Sequence, residues 1–316
     1  MYDSLVSMKP IGFLFPGQGA QSVGMGADFY RESPEARTLF DKADRLLGFS
    51  FTKLCFEGPE HDLTRTMNAQ IAIFVTSLAV LTSIRADHPE LKPALACGLS
   101  LGEFTALVAL ESISFEEGLE LVRKRGELME EANQKNPGTM ASILGFPIKD
   151  CEAVCQETGA EIANLNSYEQ IVISGPLTAV NSACELAKSK GAKRVIPLKV
   201  GGAFHSSLMS HARSGLGAAL SKTQIKEPKG VFIPNVSGKP VSKPEEIRKL
   251  LSEQLTNPVQ WIKTMESISQ SGPKDLLEIG PGRVLKGLAR KINPELNVVS
   301  IEKIADLEQL KPILVS

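Results

Sequence analysis

Residues Gly98–Gly102, with the sequence GLSLG, have the G-x-S-x-G spacing of a nucleophile elbow. The apolar run Ala94–Cys97 before them favours a strand, and the apolar stretch after them favours a helix. Such a turn exposes the serine hydroxyl on a strained backbone, and its glycines let neighbouring backbone approach where a Cβ would clash. The pattern predicts Ser100 as a nucleophile. The alternative is an ordinary strand-to-helix loop in which Ser100 is only the helix N-cap.

A serine hydroxyl is a weak nucleophile and needs a base within hydrogen-bond reach. The chain has four histidines. His61 and His88 lie in polar or loop stretches, and His211 lies on an amphipathic helix with polar neighbours. His205 follows Gly201–Phe204, a glycine and apolar approach that can deliver a side chain into a crevice. We therefore predict His205 as the general base, with a histidine at a helix start as the alternative.

No carboxylate between Ser100 and His205 is evident as a third catalytic member, although hydrolases with this elbow place one there in chain order. Most carboxylates of that interval fall on charged helix faces or in the predicted small domain. A base oriented by a carbonyl or an amide suffices for a thioester, whose carbonyl is more electrophilic than that of an amide. A Ser100–His205 pair without a carboxylate therefore favours a thioester substrate over a peptide substrate.

The segment after the first predicted strand is rich in glycine. Pro16–Gln21 (PGQGAQ) is not a Walker A loop, because no Gly-Lys-Ser/Thr follows. It is not a dinucleotide fingerprint, because Ser22 occupies the third glycine position. The remaining interpretation is a tight backbone loop after a central strand, where main-chain N–H groups contact a ligand.

Alternating strands and helices predict an α/β fold whose large domain, residues 1–136 and 200–316, has a mostly parallel sheet covered on both faces. Its predicted strands are Ile11–Phe15, Ala94–Cys97, Val231–Asn235 and Leu276–Ile279. Its predicted helices are Pro34–Leu47, Gln70–Ala86, Ser114–Gln134, Pro244–Leu255 and a final one that opens at Gly280–Gly282 and runs to about Ile292.

Asn136–Gly138 is a clear break, and the order of predicted strands and helices changes after it. This change predicts an inserted small domain over 137–199. Its elements have the βαββαβ order of a ferredoxin-like domain. The predicted strands are Met140–Gly145, Glu161–Asn166, Gln170–Ser174 and Arg194–Val200, and the predicted helices are Lys149–Glu157 and Leu177–Lys190.

Composition argues against several function classes. The chain has 316 residues, is 42% hydrophobic and carries a formal net charge of −1, so no general attraction to nucleic acid or anionic membrane is expected. No apolar run approaches the ~20 residues of a membrane span. Residues 1–10 lack a basic segment followed by an apolar one, so we expect a cytoplasmic protein rather than a secreted one.

The cysteines give no sign of a metal site. Their five positions contain no CxxC pair and no zinc spacing. Cys151 and Cys155 lie four apart on a predicted helix, but no partner ligands are evident. We expect buried free thiols in a reducing compartment, and no metal. The five residues are Cys55, Cys97, Cys151, Cys155 and Cys184.

Six motifs in order resemble the malonyl-CoA:acyl carrier protein transacylases, the stand-alone enzymes of type II fatty acid synthesis related to acyltransferase domains of polyketide and fatty acid synthases. The resemblance runs from about Ile11 to Ile301 and implies an α/β-hydrolase-like core with an inserted ferredoxin-like domain. The motifs are Phe15–Gln21, Gly98–Glu103, Arg125-Gly126, Ala203–Ser206, Asn257–Trp261 and Glu278–Leu285.

By position, the resemblance implies Ser100 as nucleophile and His205 as its base. It also implies an oxyanion hole, a residue that binds the malonyl carboxylate, a residue that orients His205 by hydrogen bonding, and two residues of the cleft. The backbone N–H groups of Gln18 and Leu101 would form the oxyanion hole, and Arg125 would bind the malonyl carboxylate. Gln254 would orient His205, and Asn166 and Phe204 would line the cleft. Phe204 would crowd the substrate α-carbon and favour malonyl over methylmalonyl groups.

Two positions depart from the family pattern. Leu99 stands where the family usually has histidine, and Tyr168 stands where proline is commoner. Residue 99 is not the base, so the chemistry should survive the change. The packing beneath the elbow and the polarity of the pocket are what Leu99 puts in question.

Arginine also suits the predicted substrate on physical grounds, because a free carboxylate is best bound by a planar, two-pronged donor that stays charged. Arg125 follows Arg123 and Lys124, which are expected to face solvent. From composition alone, a surface arginine on a charged helix is the favoured alternative for Arg125. Only the resemblance assigns it to the substrate.

The resulting hypothesis is ping-pong acyl transfer through a malonyl-serine at Ser100, with malonyl-CoA and acyl carrier protein as partners and no cofactor. A monomer is expected. A serine thioesterase or hydrolase on the same elbow, a non-catalytic family member and an acyltransferase of a polyketide pathway remain alternatives.

The carrier protein is acidic, and a basic side of the last long helix could receive it. The alternative there is a solvated helix end with cations near its negative pole. The cations are Arg283, Lys286, Arg290 and Lys291.

Overall fold

A computed structural model of the chain describes residues 9–314. Residues 1–8, on which most of the expectation about a leader segment rests, lie outside the described residues, as do 315 and 316. The strands are β1 (Ile11–Phe15), β2 (Pro93–Gly98), β3 (Thr139–Leu144), β4 (Glu161–Ser167), β5 (Gln170–Gly175), β6 (Arg194–Pro197), β7 (Val231–Phe232), β8 (Asp275–Ile279) and β9 (Asn297–Ile301).

Helices surround these strands. They are α1 (Ala27–Glu32), α2 (Pro34–Leu47), α3 (Phe51–Glu57), α4 (Glu60–Leu63), α5 (Thr66–Asp87), α6 (Gly102–Ala109), α7 (Phe115–Lys135), α8 (Ile148–Thr158), α9 (Leu177–Ser189), α10 (Ser210–Leu220), α11 (Pro244–Glu253), α12 (Trp261–Ser271), α13 (Val284–Ile292) and α14 (Lys311–Leu314). Short 3-10 helices span Ser207–Met209, Gln254–Thr256 and Ile304–Leu310.

The larger sheet has the order β7-β2-β1-β8-β9, and every pair in it is parallel. All five residues of the central strand β1 are buried, as expected for a parallel strand covered by helices on both faces. The predicted mixed α/β class with a mostly parallel sheet is confirmed. Because the strands are parallel, the loops after β1 and β2 meet at one edge of the sheet.

The second sheet has the order β4-β5-β3-β6 and is antiparallel throughout. Its elements follow the predicted βαββαβ order, and α8 and α9 cover a separate apolar core. Backbone hydrogen bonds attach β4 to the segment before α12. The N–H of Leu165 donates to the carbonyl of Val259, and the N–H of Val259 donates to the carbonyl of Ala163. This attachment brings β4 beside the larger sheet.

Helix α5 corrects the expectation that no apolar run approaches the length of a membrane span. Among the described residues it is the one helix long and apolar enough, with 22 residues. Polar residues such as Gln70, Thr76 and Ser77 interrupt its sequence, but they are buried with the rest. In total, 83% of its most apolar window lies inside the protein, so α5 is a core helix contacted on all sides.

Several predicted boundaries were wrong. The strand predicted over Val231–Asn235 pairs only at its first two residues. The strand predicted over Arg194–Val200 ends at Pro197, which has no N–H to continue the ladder. The helix predicted to be the last, α13, is followed by the parallel edge strand β9 and by α14. The five residues of β9 are too few for their alternation to stand out in sequence.

Candidate functional site

Ser100 lies on a sharp turn between β2 and α6, with a left-handed φ of 52°. A Cβ added to Gly98 would collide with the backbone of Gly102, and a Cβ added to Gly102 would collide with the carbonyl of Phe15. Glycine is therefore required at both positions. Leu101 is the N-cap of α6, and no side chain caps that helix, so Ser100 is not acting as an N-cap.

His205 lies within hydrogen-bond distance of this serine, 105 residues away in the chain, with Nε2 2.8 Å from the Ser100 Oγ. Its Nδ1 lies 2.8 Å from the backbone carbonyl of Gln254. A carbonyl only accepts, so Nδ1 carries the proton and Nε2 is free to accept the serine proton. A carbonyl thus orients the imidazole, as the missing carboxylate predicted. Gln254 orients it through its main chain rather than its side chain.

Arg125 projects from α7 into the protein, and its residue is 1% exposed. One guanidinium nitrogen donates to the Ser100 Oγ and to the side-chain oxygen of Gln254, both at 2.8 Å. The other terminal nitrogen donates to Gln70 at 2.5 Å, whereas Nε has no partner within the described chain. The favoured alternative of a surface arginine was wrong.

Burial lowers the pKa of Arg125 to about 10, and the negative charge of Glu103 opposes that change. The guanidinium therefore stays charged at neutral pH. A buried cation without a directly paired anion is costly, and an anionic ligand reduces that cost. A negative group bound beside the nucleophile would therefore offset part of the cost of burying Arg125.

Two backbone N–H groups, of Gln18 and Leu101, are predicted to form the oxyanion hole. The N–H of Ser100 donates to Asn235 at 2.6 Å, which removes it from use. Those of Gln18, in the loop after β1, and Leu101, at the start of α6, donate no hydrogen bond within residues 9–314. Both residues border the turn that carries Ser100, so the predicted pair remains available.

A cleft of about 170 Å³ opens over Ser100 and His205 and is also lined by Gln18, Leu99, Asn164, Asn166 and Phe204. Asn166 comes from β4 of the small sheet, and its side-chain oxygen is buried without a hydrogen-bond partner in the described chain. Leu99 presents an apolar wall beside the nucleophile. Tyr168 is half exposed, and its hydroxyl donates to Glu266 instead of lining this cleft.

The sequence analysis assigned no role to three polar residues in contact with this site. Gln70 accepts from Arg125, and Asn235 holds both sides of the turn. Glu103 is fully buried and accepts from Asn235 and Gln254. Burial raises the pKa of Glu103 to about 8, against the effect of those hydrogen bonds and of Arg125. Gln70 and Glu103 each interrupt an apolar helical stretch, which is the signal that could have identified them.

Comparison with known proteins identifies the family of the chain. Residues 12–302 match the acyl transferase domain family. This chain belongs to that family. The malonyl CoA-acyl carrier protein transacylase of Bacillus subtilis (strain 168) is 43% identical over 302 residues, which cover 93% of this chain and 94% of the relative.

Solved structures of similar proteins share the whole fold of this acyl transferase. An acyl-carrier-protein-S-malonyltransferase from Bartonella henselae superposes with a TM-score of 0.92 at 38% identity, covering 96% of this chain and 99% of the other. A malonyl-transacylase in complex with its type II PKS acyl-carrier protein gives a TM-score of 0.91 at 36% identity, with coverages of 95% and 98%.

The predicted basic residues of this acyl transferase lie on α13 and just before it. Lys286, Arg290 and Lys291 are exposed and form no salt bridge within the described residues. Arg283 differs, because its guanidinium lies 3.3 Å from Glu302 and 3.2 Å from Asp306. Gly282 lies against Ala20, in the loop that also carries Gln18. The exposed cations therefore begin near the edge of the cleft.

Proposed function

We propose that this acyl transferase moves a malonyl group from malonyl-CoA to the phosphopantetheine thiol of acyl carrier protein, which supplies the extender unit for fatty acid synthesis. The observation that carries the proposal is the buried, charged guanidinium of Arg125 only 2.8 Å from the hydroxyl of Ser100. A planar two-pronged cation at that distance suits an acyl group that ends in a carboxylate. The relatives that are named malonyl CoA-acyl carrier protein transacylase or acyl-carrier-protein-S-malonyltransferase support the same substrate.

In the first half-reaction, the malonyl carboxylate binds Arg125 and the thioester carbonyl faces Ser100. The Nε2 of His205 takes the hydroxyl proton as Oγ attacks the carbonyl carbon. The resulting oxyanion accepts hydrogen bonds from the N–H groups of Gln18 and Leu101. When the tetrahedral intermediate collapses, the carbon–sulfur bond breaks, the imidazolium returns its proton to the CoA sulfur, and malonyl stays on Ser100 as an ester.

The second half-reaction reverses these roles. The phosphopantetheine thiol gives its proton to His205, and its sulfur attacks the malonyl ester carbon. The carbon–oxygen bond to Ser100 breaks, and the imidazolium returns the proton to Oγ. Atoms, charge and protons balance in both halves with malonyl-CoA as the substrate, so the mechanism requires no separate cofactor.

The fold supports finer assignments that belong to the same proposal. The parallel sheet with an elbow after β2 suits an α/β-hydrolase-like domain made of 1–136 and 200–316. The sheet order β4-β5-β3-β6 suits an inserted ferredoxin-like domain over 137–199. All five cysteines are buried and form no disulfide, which suits a cytoplasmic setting.

The proposal is tested by intact mass spectrometry of the protein mixed with malonyl-CoA, followed by addition of acyl carrier protein. We expect one malonyl group on the protein and its transfer to the carrier. A serine thioesterase would instead release free malonate at catalytic rates with no carrier present. That result would reject the transferase in favour of hydrolysis.

The pH dependence of malonylation should reflect the environment of His205. Burial, and then the charge of Arg125, lower the pKa of this imidazole to about 4. Above this value the neutral ring accepts the Ser100 proton, and below it the protonated ring does not. We expect kcat/KM for malonylation to be level from about pH 7, below the pKa of about 8 of Glu103, down to about pH 5 and to fall below about pH 4. Circular dichroism at each pH must show folded protein, and a decline centred near about pH 6.5 would contradict a buried neutral base.

Reversing two charges on α13 should separate the half-reactions. In the double variant Lys286→Glu/Arg290→Glu, we expect transfer to carrier protein to slow about 10-fold, because an acidic partner loses its attraction. Malonylation by CoA should remain at the wild-type rate. The control Lys188→Glu/Lys190→Glu makes the same change in net charge at the end of α9. Equal slowing of both half-reactions, or by both variants, would count against docking on α13.

A further inference from the structure

Beneath the elbow, the buried carboxyl of Glu103 joins the backbone of Asn235 to the side chain of Gln254, and the mechanism gives neither side chain a chemical step. Both of its oxygens accept hydrogen bonds, one from the backbone N–H of Asn235 and one from the side-chain amide of Gln254 at 2.5 Å. All three residues are completely buried. Neither oxygen faces a hydrogen-bond acceptor in the described chain, so the surroundings suit the ionised carboxylate, which predominates only above its raised pKa of about 8.

Asn235 connects this carboxylate to the backbone of the elbow. Its side-chain oxygen accepts the N–H of Ser100 at 2.6 Å, and its amide nitrogen donates to the carbonyl of Gly98 at 2.8 Å. One side chain therefore holds the main chain before the nucleophile and at the nucleophile. Glu103 in turn holds the backbone of Asn235.

Gln254 connects the same carboxylate to the guanidinium. Its amide nitrogen donates to Glu103 and to the carbonyl of Ser100, the latter at 2.8 Å, while its amide oxygen accepts from Arg125. A carboxylate only accepts and a guanidinium only donates, so one orientation of this amide satisfies both. A turned amide would present N–H groups to Arg125 and an oxygen to Glu103. By accepting from the Gln254 amide nitrogen, Glu103 turns the amide oxygen of Gln254 toward the Arg125 guanidinium.

We propose that Glu103 is a positioning residue for acyl transfer, which sets the backbone of Ser100 through Asn235 and the orientation of the Arg125 guanidinium through Gln254. It touches neither substrate nor reacting atoms. Its influence is greatest on the malonyl group, because Arg125 binds the malonyl carboxylate. The inference rests on the proposed function and extends it to the residue that maintains selectivity.

The test is the isosteric variant Glu103→Gln, assayed by intact mass with malonyl-CoA and, separately, acetyl-CoA, at a pH above the pKa of the wild-type carboxyl. The new amide places N–H groups against one of the two N–H donors from which Glu103 accepts, so the hydrogen bond to Asn235 or the one to Gln254 is lost. The support of the Ser100 backbone or of the Arg125 guanidinium is lost with it. We expect malonylation to slow about 10- to 100-fold and the malonyl-to-acetyl ratio of kcat/KM to fall about 10-fold or more. A merely structural defect lowers the folded fraction, which slows both reactions equally and leaves the ratio unchanged.

Glu278→Gln is the matched control. Glu278 is also completely buried and accepts hydrogen bonds from the backbone of Leu285 and Lys286 and from Ser300, away from the elbow. This variant should keep the wild-type malonyl-to-acetyl ratio whatever its effect on unfolding temperature. If Glu103→Gln does not fold, Gln254→Leu tests the same connection and should lower the ratio likewise.

A wild-type ratio in the folded Glu103 variant, at any overall rate, would overturn the inference. So would a loss of selectivity that adds fully to that of Arg125→Ala in the double variant, because residues acting through one guanidinium are not additive. Failure of the proposed function has a different signature, since the wild-type protein itself would then carry no malonyl group.

Discussion

Replacing Ser100 with alanine is expected to abolish malonyl labelling of the protein and to slow transfer to carrier protein by about 10⁴-fold or more. The expectation follows from the mechanism, because His205 would have no hydroxyl to deprotonate and no ester could form. Intact mass after mixing with malonyl-CoA measures the labelling, and a steady-state assay with carrier protein measures the transfer.

Ser207→Ala is the matched control for that substitution. Ser207 is exposed, lies two residues after the base, and donates to Glu161 rather than to the site. It should label as fast as the wild type. Labelling of Ser100→Ala at the wild-type level, mapped to another residue, would show that the elbow does not carry the nucleophile.

Replacing Arg125 with alanine is expected to lower kcat/KM for malonyl-CoA by about 10³-fold, which corresponds to about 4 kcal/mol. The malonyl carboxylate would lose two charge-assisted hydrogen bonds, each worth roughly 1.5–3 kcal/mol. Acetyl transfer should be affected far less, because an acetyl group has no carboxylate to bind. The two rates, measured by intact mass with each acyl-CoA, should therefore approach each other.

Arg123→Ala controls for the loss of a cation on the same helix. Arg123 is partly exposed and pairs with Glu120 and Glu127, so its removal should leave acyl selectivity unchanged. Arg125→Lys adds a second comparison, since lysine keeps the charge without the two-pronged geometry and should restore only part of the rate. Unchanged malonyl preference in Arg125→Ala would place the carboxylate elsewhere.

The sequence contained enough to predict the elbow and the base. The glycine spacing around Ser100 is local, and the strand before it and the helix after it follow from a few apolar residues. His205 could be identified as the base because the glycine and apolar segment Gly201–Phe204 precedes it, whereas the other three histidines lie among polar or loop residues. The order of elements in the small sheet was also predicted, because its strands and helices alternate with clear breaks.

Arg125 shows a signal that was present but overlooked. The buried residues of α7 include Leu121, Val122, Met129 and Ala132, at helical spacing. Arg125 falls on this stripe, whereas Arg123 lies some 200° around the helix and faces solvent. The charged run therefore contains one inward residue, which composition alone does not distinguish.

The network around Glu103 was beyond prediction for a different reason. Glu103 and Asn235 are 132 residues apart, and their hydrogen bond exists only because β7 ends beside the elbow. Short strands such as β7 and β9 obtain their stability from the neighbours with which they pair, so their own residues carry a weak pattern. Contacts that depend on such pairing become evident only in three dimensions.

The attachment of β4 to Val259 has a mechanical consequence for how substrate enters. The segment that bonds β4 begins a few residues after the carbonyl of Gln254, which holds His205. Swinging the small sheet away as a rigid flap would pull on that segment and misalign the imidazole. The position of the small sheet and the alignment of the base are therefore coupled through this one segment of chain.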